Sequence, residues 1–204
     1  MDEPWTLDDA LMYGERLLCG EHVSLRESRE EDFTELVRWW TDPAVSIFQT
    51  GFVRPTPAAT VSDLMRGWSS NVGPDVGFTV IESSSTQAAT SDADGDGRVL
   101  GQVNLFGITK NRCATLGIVM GKEHWSKGFG SEAVRLLVDY GFAEMGLHRI
   151  QLGVFAYNDR AIRSYRSAGF REEGRRREVA FHGDRWHDEV LMALLVDEWR
   201  STGG

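Results

Sequence analysis

A glycine-rich turn between an apolar strand and a helix is the feature that most restricts how this chain can fold. The stretch HWSKGFGSEA, residues 124–133, follows the apolar run LGIVM and precedes a helical pattern over residues 131–145. The first N–H groups of a helix have no intrahelical partner and carry partial positive charge. Glycine lets a backbone wrap closely around an anion, and Lys127 adds a full positive charge. The arrangement therefore predicts a phosphate-binding site where this helix begins.

The loop alone does not identify the phosphate compound. It differs from a Walker A loop, which needs four residues between its glycines and then Gly-Lys-Ser/Thr. The permissive dinucleotide fingerprint would accept Gly128, Gly130 and Ala133. However, the next predicted strand, RIQLGVFA, does not end in the acidic residue that would bind a ribose. An ordinary helix start and a nucleotide site therefore both stay open at this point.

Hairpins and helical crossovers both occur along the 204 residues, which indicates a mixed α+β fold. The strand patterns are HVSLRES, GFTVIES, RVLGQVNLFGIT, RCATLGIVMG, HRIQLGVFA and the two halves of EVAFHGDRWHDEVLMALL. Four helices are predicted: one before residue 41, opened by a capping box of Ser28 and Glu31, and others over 60–68, 131–145 and 158–169. We expect an N-terminal extension over residues 1–20 and a single domain over 21–200, with an acidic surface loop at 83–97.

Charge and cysteine content argue against several classes of function. The formal net charge of −9 offers no support for nucleic-acid binding and slightly favours cationic partners, although solubility is its commoner role. Cys19 and Cys113 fit no metal-ligand spacing and are interpreted as reduced packing residues. The chain lacks a long apolar run and a signal-peptide pattern, so we expect a cytoplasmic protein without membrane contact. The DADGDG segment lacks the spacing of a calcium loop, and we expect no metal.

Two downstream motifs give the loop a family context. The segments LGIVMGKEHWSKGFGSEAVRLLVDYGF and HRIQLGVFAYNDRAIRSYRSAGFREEG resemble the GNAT superfamily of acyl-CoA-dependent N-acyltransferases, and more narrowly its RimJ/RimL-type branch. The matching residues are Trp125, Lys127, Gly128, Gly130, Asn158, Ala161, Tyr165, Gly169 and Phe170. The resemblance implies a GNAT-like central mixed, mostly antiparallel sheet of about six or seven strands with a splayed pair, flanked by about four helices.

The same resemblance implies where coenzyme A would bind. Loop amides would hold its pyrophosphate. The backbone of the preceding strand would pair with the pantetheine arm and supply an oxyanion donor near Val119. The implied coenzyme-binding residues are Ile118, Val119, Met120, Lys127, Gly128, Phe129, Gly130, Ser131 and Asn158. Asn158 is equally well placed to cap the following helix. Trp125 stands where many GNAT loops carry Arg or Gln, and it is interpreted as a packing residue.

The chemistry of acyl transfer needs an acid for the departing thiolate and a neutral amine. Tyr165 lies where the family often places that acid, although a core aromatic residue would follow the same pattern. Many relatives carry a glutamate base where this chain has Thr115, so no base is assigned. The polar residues of the last hairpin are interpreted as surface residues, neither base nor metal ligands: His182, Asp184, His187 and Asp188.

The resemblance implies an acetyl-CoA-dependent N-acetyltransferase that acts by direct attack in a ternary complex. The acceptor would be a primary amine, either a protein N-terminal α-amine or a small molecule such as an antibiotic or a polyamine. Its groove would be built from residues 39–52, Trp68 and residues 181–186, and exposed aromatic residues there would also allow a homodimer. The alternative is a non-catalytic acyl-CoA-binding or regulatory module, which the threonine at position 115 would fit.

Overall fold

The computed structural model describes residues 5–83 and 97–203, so most of the expected loop at 83–97 lies outside the described residues. The strands are β1 Val23–Arg26, β2 Val76–Glu82, β3 Val99–Phe106, β4 Cys113–Met120, β5 Arg149–Phe155, β6 Arg171–His182 and β7 Arg185–Leu195. The helices are α1 Leu7–Arg16, α2 Asp32–Thr41, α3 Pro43–Ser46, α4 Ala58–Trp68, α5 Phe129–Ala143, α6 Asp159–Ser167 and α7 Val196–Ser201.

The strands form one sheet in the order β1-β2-β3-β4-β5-β7-β6. Only β4 and β5 run parallel, and the other neighbours are antiparallel. This confirms the expected mixed, mostly antiparallel sheet. The four predicted helices correspond to α2, α4, α5 and α6, while α1, α3 and α7 are additional. None of the helices in residues 5–83 and 97–203 is long and apolar enough to cross a membrane.

The parallel pair opens partway along its length. β4 and β5 are paired only where Cys113–Thr115 faces Arg149–Gln151, as Cys113 with Arg149 and Thr115 with Gln151. Beyond these residues β4 stays paired with β3, and β5 stays paired with β7. The sheet therefore splays at its centre, as the family resemblance implies.

Helices cover both faces of the sheet. On one face, α5 and α6 pack on apolar side chains from the strands, and Leu137, Ile150 and Tyr165 belong to one buried cluster there. On the other face, α2 and α4 form a second cluster around Leu36, Trp39 and Met65. The two faces of the splayed strands thus look toward different helical layers.

Two local predictions are wrong in detail. α5 begins at Phe129 and not at Ser131, because Gly128 adopts a left-handed conformation (φ 88°) that turns the chain directly into the helix. Ser28 and Glu31 do not form a capping box. Instead Asp32 accepts two hydrogen bonds from Arg26, at 2.7 and 2.9 Å, and one from the Arg29 amide. A buried carboxylate that ties α2 to β1 replaces the expected surface cap.

The predicted extension carries structure of its own. Its helix α1 is opened by a capping box between Thr6 and Asp9. Tyr13 on α1 donates a hydrogen bond to Glu144 beyond the end of α5, and Leu25 on β1 donates its amide to the Leu18 carbonyl. The segment after α1 therefore runs beside the first strand.

Candidate active site

A cavity of about 680 Å³ occupies the gap between β4 and β5. Its walls come from both splayed strands, from the glycine-rich loop, from α6, and from the helices on the opposite face of the sheet. The volume is in the usual range for small-molecule sites. The splay is therefore the place where a ligand can enter the sheet.

The glycine-rich loop brings backbone N–H groups to this cavity. Gly128 is the N-cap of α5 and offers no side chain to the amides of the first turn. The Glu132 amide makes the first intrahelical hydrogen bond, to the Gly128 carbonyl (3.1 Å). The amides of residues 129–131 lie before this bond and therefore have no acceptor within the helix. Gly128, Gly130 and Ser131 line the cavity, whereas Lys127 is exposed and the Phe129 side chain lies in the core. This geometry fits an anion such as a pyrophosphate.

The edge of β4 that faces the gap is defined by strand alternation. The Gly121 amide donates to Leu100 on β3, so Val119 also directs its backbone groups toward β3. Ile118 and Met120 direct theirs into the gap. Their carbonyls accept hydrogen bonds from Gln49 Nε2 (3.0 Å) and Trp125 Nε1 (2.9 Å). The amides positioned to face a bound thioester are therefore those of Ile118 and Met120, on either side of the expected Val119.

Trp125 does more than pack. Besides its hydrogen bond to Met120, its ring lies 3.8 Å below the guanidinium carbon of Arg160 and makes an edge contact with Phe48. Arg160 is on α6 and also lines the cavity. The indole thus links the loop, α6 and the segment after α3.

The predicted residues at the N-cap of α6 and on α6 itself, Asn158 and Tyr165, both line the cavity. Asn158 caps the helix, because its Oδ1 accepts the Ala161 amide hydrogen at 3.2 Å, and its side chain is also part of the cavity wall. Tyr165 is 8% exposed and lines the cavity from the α5 face of the sheet. Burial raises the pKa of Tyr165 to about 12, while Arg160 opposes the shift. The phenol is therefore neutral, and able to donate a proton, across the working range of an enzyme.

The opposite face supplies aromatic and amide groups. Trp40 and Trp68 make an edge contact at 5.0 Å, and both line the cavity with Phe48. Gln102 is held through its Nε2, which donates to the Met65 carbonyl (3.4 Å) and to Ser69 Oγ (3.2 Å). Its Oε1 is buried and accepts no hydrogen bond from the described residues. Sequence reasoning missed Gln102 and its neighbour Asn104, and the available signal was two amide side chains in a mostly apolar strand.

The residues expected to form the acceptor groove lie only partly in the cavity wall. Trp40, Val45, Phe48, Gln49 and Trp68 line the cavity, as expected for residues 39–52 and Trp68. Trp39 does not, because it is buried in the second core cluster. The turn at residues 181–186 is also absent from the cavity wall, since the β6–β7 hairpin carries Phe181 and Trp186 out to the surface, where they contact each other.

The polar residues of that hairpin have structural partners. His187 Nε2 lies 3.2 Å from the His182 carbonyl, and Asp188 accepts the amide hydrogen of Glu178 at a bulge in β6. Across residues 5–83 and 97–203, no group of three or more His, Cys, Asp and Glu side chains could hold a metal ion. His187 and Asp188 thus make contacts within the β6–β7 hairpin itself.

A comparison with known protein families gives this geometry a context. The profile of the acetyltransferase (GNAT) domain family matches residues 22–171. This chain belongs to the GNAT acetyltransferases. The N-acetyltransferase p20 of Bacillus licheniformis, itself uncharacterized, is 30% identical over 183 residues, covering 89% of this chain and 97% of p20. The enzyme is therefore an acetyl-CoA-dependent N-acetyltransferase.

Other relatives match parts of this GNAT enzyme or its fold. The probable N-acetyltransferase YjcK of Bacillus subtilis is 42% identical over 103 residues, about half of each chain (49% and 56%). The crystal structure of a Vibrio cholerae spermidine N-acetyltransferase in complex with CoA and spermine superposes with a TM-score of 0.73 at 23% identity, covering 87% of this chain and 98% of that one. At that identity the likeness shows the shared fold.

Proposed function

We propose that this GNAT enzyme acetylates a small cationic primary amine by direct attack in a ternary complex. The observation that carries the proposal is the division of the cavity between the two faces of the sheet. Backbone amides and Tyr165 reach it from the α5 and α6 side, whereas Trp40, Trp68 and Gln102 reach it from the α2 and α4 side. Two substrates can therefore meet in the gap from opposite faces.

The coenzyme half of the proposal uses the residues that the family resemblance implies. The amides of the loop would hold the pyrophosphate, at Lys127, Gly128, Phe129, Gly130 and Ser131. The strand edge at Ile118, Val119 and Met120 would pair with the pantetheine arm, with the Ile118 and Met120 amides facing the thioester oxygen. Asn158 has a side-chain NH₂ that its cap does not use, and this group is available to the arm.

Tyr165 is proposed as the acid for the departing thiolate. It lies in the cavity wall on the coenzyme face, and its raised pKa keeps the proton on the phenol until the thiolate forms. No other tyrosine is in the wall of the cavity as the described residues form it.

The preference for a cationic amine rests on the other face. Indole faces attract ammonium groups, and Gln102 offers a buried oxygen acceptor beside Trp40 and Trp68. The net charge of −9 favours the approach of cations. Spermidine N-acetyltransferases of Vibrio cholerae and Escherichia coli, 33% and 30% identical over about half of this chain, are consistent with such an acceptor.

The proposal also covers the setting of the enzyme. We place it in the RimJ/RimL-type branch, as a single domain over residues 21–200, in the cytoplasm, where free thiols such as Cys19 and Cys113 persist. The exposed Phe181 and Trp186 would allow a homodimer.

A screen of amines tests the acceptor class. Purified enzyme and acetyl-CoA are mixed with spermidine, spermine, an amino sugar, and peptides with free N-termini, and thiol release is followed with product masses. We expect the highest kcat/KM with a small polycationic amine. Turnover restricted to peptides would contradict the acceptor class. If none of the amines in the set causes thiol release, direct transfer to amines is contradicted.

A further inference from the structure

One carboxylate lines the cavity, and it comes from a strand at the far side of the splay. Glu189 on β7 is the only acidic residue in the cavity wall formed by the described residues. Its side chain is 15% exposed and forms an ion pair with Arg176, its cross-strand neighbour on β6. Thr115, also in the wall, offers a neutral hydroxyl that cannot hold an amine's proton at pH 7.

A glycine on β5 allows this carboxylate to reach the gap. A Cβ atom on Gly153 would lie 2.2 Å from Glu189 Oε1 and 2.7 Å from Cδ, so any other residue there would displace the carboxyl group. The last β4–β5 pair joins Thr115 and Gln151. Two residues further along each strand, Gly117 and Gly153 lie opposite each other, where the strands have already separated. The Glu189 carboxylate therefore lies over β5 at the opening.

The carboxylate is also on the appropriate face of the sheet. Glu189 pairs with Phe155, which shares a face with Gly153 and, through the parallel register, with Thr115. Tyr165 approaches from the other face, because it is buried with α5. A carboxylate and a phenol thus flank the gap from opposite sides. This arrangement suits acyl transfer, in which a base on one side takes a proton from the nucleophile and an acid on the other gives a proton to the leaving group.

We propose that Glu189 binds the ammonium group of the acceptor amine and removes its proton before attack. The inference rests on the proposed function and assigns a base to the same site. The acceptor loses one proton to the carboxylate and attacks the thioester carbonyl carbon through its lone pair. As the C–N bond forms and the C–S bond breaks, the nitrogen loses its second proton. One proton ends on the thiol and the other in solvent, which Glu189 reaches through the open cavity.

The charged groups around Glu189 fit this role. Arg176 contacts Glu189 Oε2, which is buried, so Oε1, the oxygen that lies over Gly153, is the one left to accept a hydrogen bond from a substrate nitrogen. The neighbouring residues on β5, Gly153 and Phe155, carry no charge. The remaining titratable groups of the wall are His124, Arg160, Arg163 and Tyr165. Among these, His124 is the rival proton acceptor; it is buried, its ring makes an edge contact with Trp39, and burial lowers its pKa.

The decisive variant is Glu189→Gln, compared with Glu173→Gln as a matched control. Glu173 also forms an ion pair with an arginine, Arg149 (2.7 Å), but it lies outside the cavity wall. With spermidine, or the best amine of the screen, we expect E189Q to lower kcat/KM at pH 7 by about 10²- to 10⁴-fold. Acetyl-CoA affinity and melting temperature should match the wild type, and E173Q should retain full activity.

A pH profile separates proton removal from mere charge attraction. Without the base, only amine that is already neutral can react, and that fraction rises about tenfold per pH unit below the amine's pKa. The deficit of E189Q should therefore shrink between pH 7 and pH 9.5, and Glu189→Asp should recover part of the activity. A KM increase with unchanged kcat, or a deficit that does not vary with pH, would overturn the inference.

Two further variants keep the test independent of any folding defect. Gly153→Ala should lower activity in the wild type, because it displaces the Glu189 carboxylate. In the E189Q background it should cause little further loss of activity, because the side chain at position 189 is already inactive as a base. His124→Gln should keep most of its activity. Loss of activity in H124Q with a normal E189Q would assign the base to His124 instead. A wild type inactive with every amine would refute the proposed function, and this inference with it.

Discussion

The two sides of the splayed strands are built in different ways. On the coenzyme side, the strand edge, the glycine-rich loop and the start of α5 are consecutive in sequence, and their functional groups are mostly backbone amides. On the proposed acceptor side, Trp40, Trp68, Gln102 and Glu189 come from four separate segments and would act through their side chains. A site made from contiguous backbone is readable as a motif, whereas Gln102 and Glu189 are recognisable as cavity residues only in the folded chain.

The largest effect should come from the coenzyme side. Gly130→Glu places a negative carboxylate against the loop amides, and we expect acetyl-CoA affinity to fall by more than about 10³-fold. Gly130→Ala is the control, since a Cβ would meet Met120 Cγ at 3.6 Å and Ile118 Cδ1 at 3.8 Å, which are ordinary contacts. Calorimetric titration with acetyl-CoA measures both. Normal binding by a folded G130E variant would place the coenzyme elsewhere.

A smaller loss should follow at the leaving group. Tyr165→Phe should lower kcat by about 100-fold, because the thiolate loses its proton donor while the ring still fills its place. Acetyl-CoA affinity should stay within a factor of two or three of the wild type. Since the pKa of Tyr165 is raised to about 12, activity should not decline through its ionisation below about pH 10. An unchanged kcat in Y165F would make Tyr165 a core residue only.

The acceptor side should respond in KM. Trp68→Leu removes one indole of the Trp40–Trp68 pair, and we expect the KM of a cationic amine to rise about five- to thirtyfold, corresponding to about 1–2 kcal/mol of cation–π attraction. Acetyl-CoA affinity should not change. Steady-state kinetics with both substrates varied distinguishes the two sides. An equal loss of both affinities would mean that the faces do not act separately.

The smallest effect concerns how the acceptor layer is anchored. Burial would raise the pKa of Asp32, but hydrogen bonds from Arg26, Arg29 and Thr79 outweigh it and lower that pKa. A depressed folded-state pKa adds stability above the unfolded value, near 3.9, and this is lost as pH falls through the folded value. In urea denaturation, the difference in free energy of unfolding between wild type and Asp32→Asn should therefore be constant from pH 7 to about 4.5 and should shrink at lower pH. A difference in free energy of unfolding that stays unchanged down to pH 2 would contradict the lowered pKa of Asp32.

The features that could be predicted from the sequence are those set by local residue patterns. Alternation and helical spacing located the strands and the four main helices, although β6 begins at Arg171 and not at the predicted Glu178, and the glycine-rich loop borders the cavity. Short pieces such as α3 and α7 escaped, because four to six residues carry too little periodicity to stand out. The shift in the start of α5 came from Gly128, whose left-handed conformation lets a helix begin without a side-chain cap.

The part of the proposed acceptor face that depends on strand register could not be predicted. Glu189 sits beside Asp188 in a polar run, and only the pairing of β7 with β5 brings its carboxylate over Gly153. The useful signal was the glycine within the strand IQLGVF, since an isolated strand glycine often marks a close approach by another group. Trp39 and Trp40 are adjacent aromatics, yet helix geometry sends one into the core and the other into the cavity.

The short pairing of β4 with β5 makes the sheet two panels hinged at one end. Strands β1–β4 form one panel and β5–β7 the other, joined along the sheet by only the residues Cys113–Thr115 and Arg149–Gln151. A coenzyme bound between the panels, as proposed, would hold them together. Amide hydrogen exchange should therefore slow on both strands when acetyl-CoA binds, including residues that never touch it.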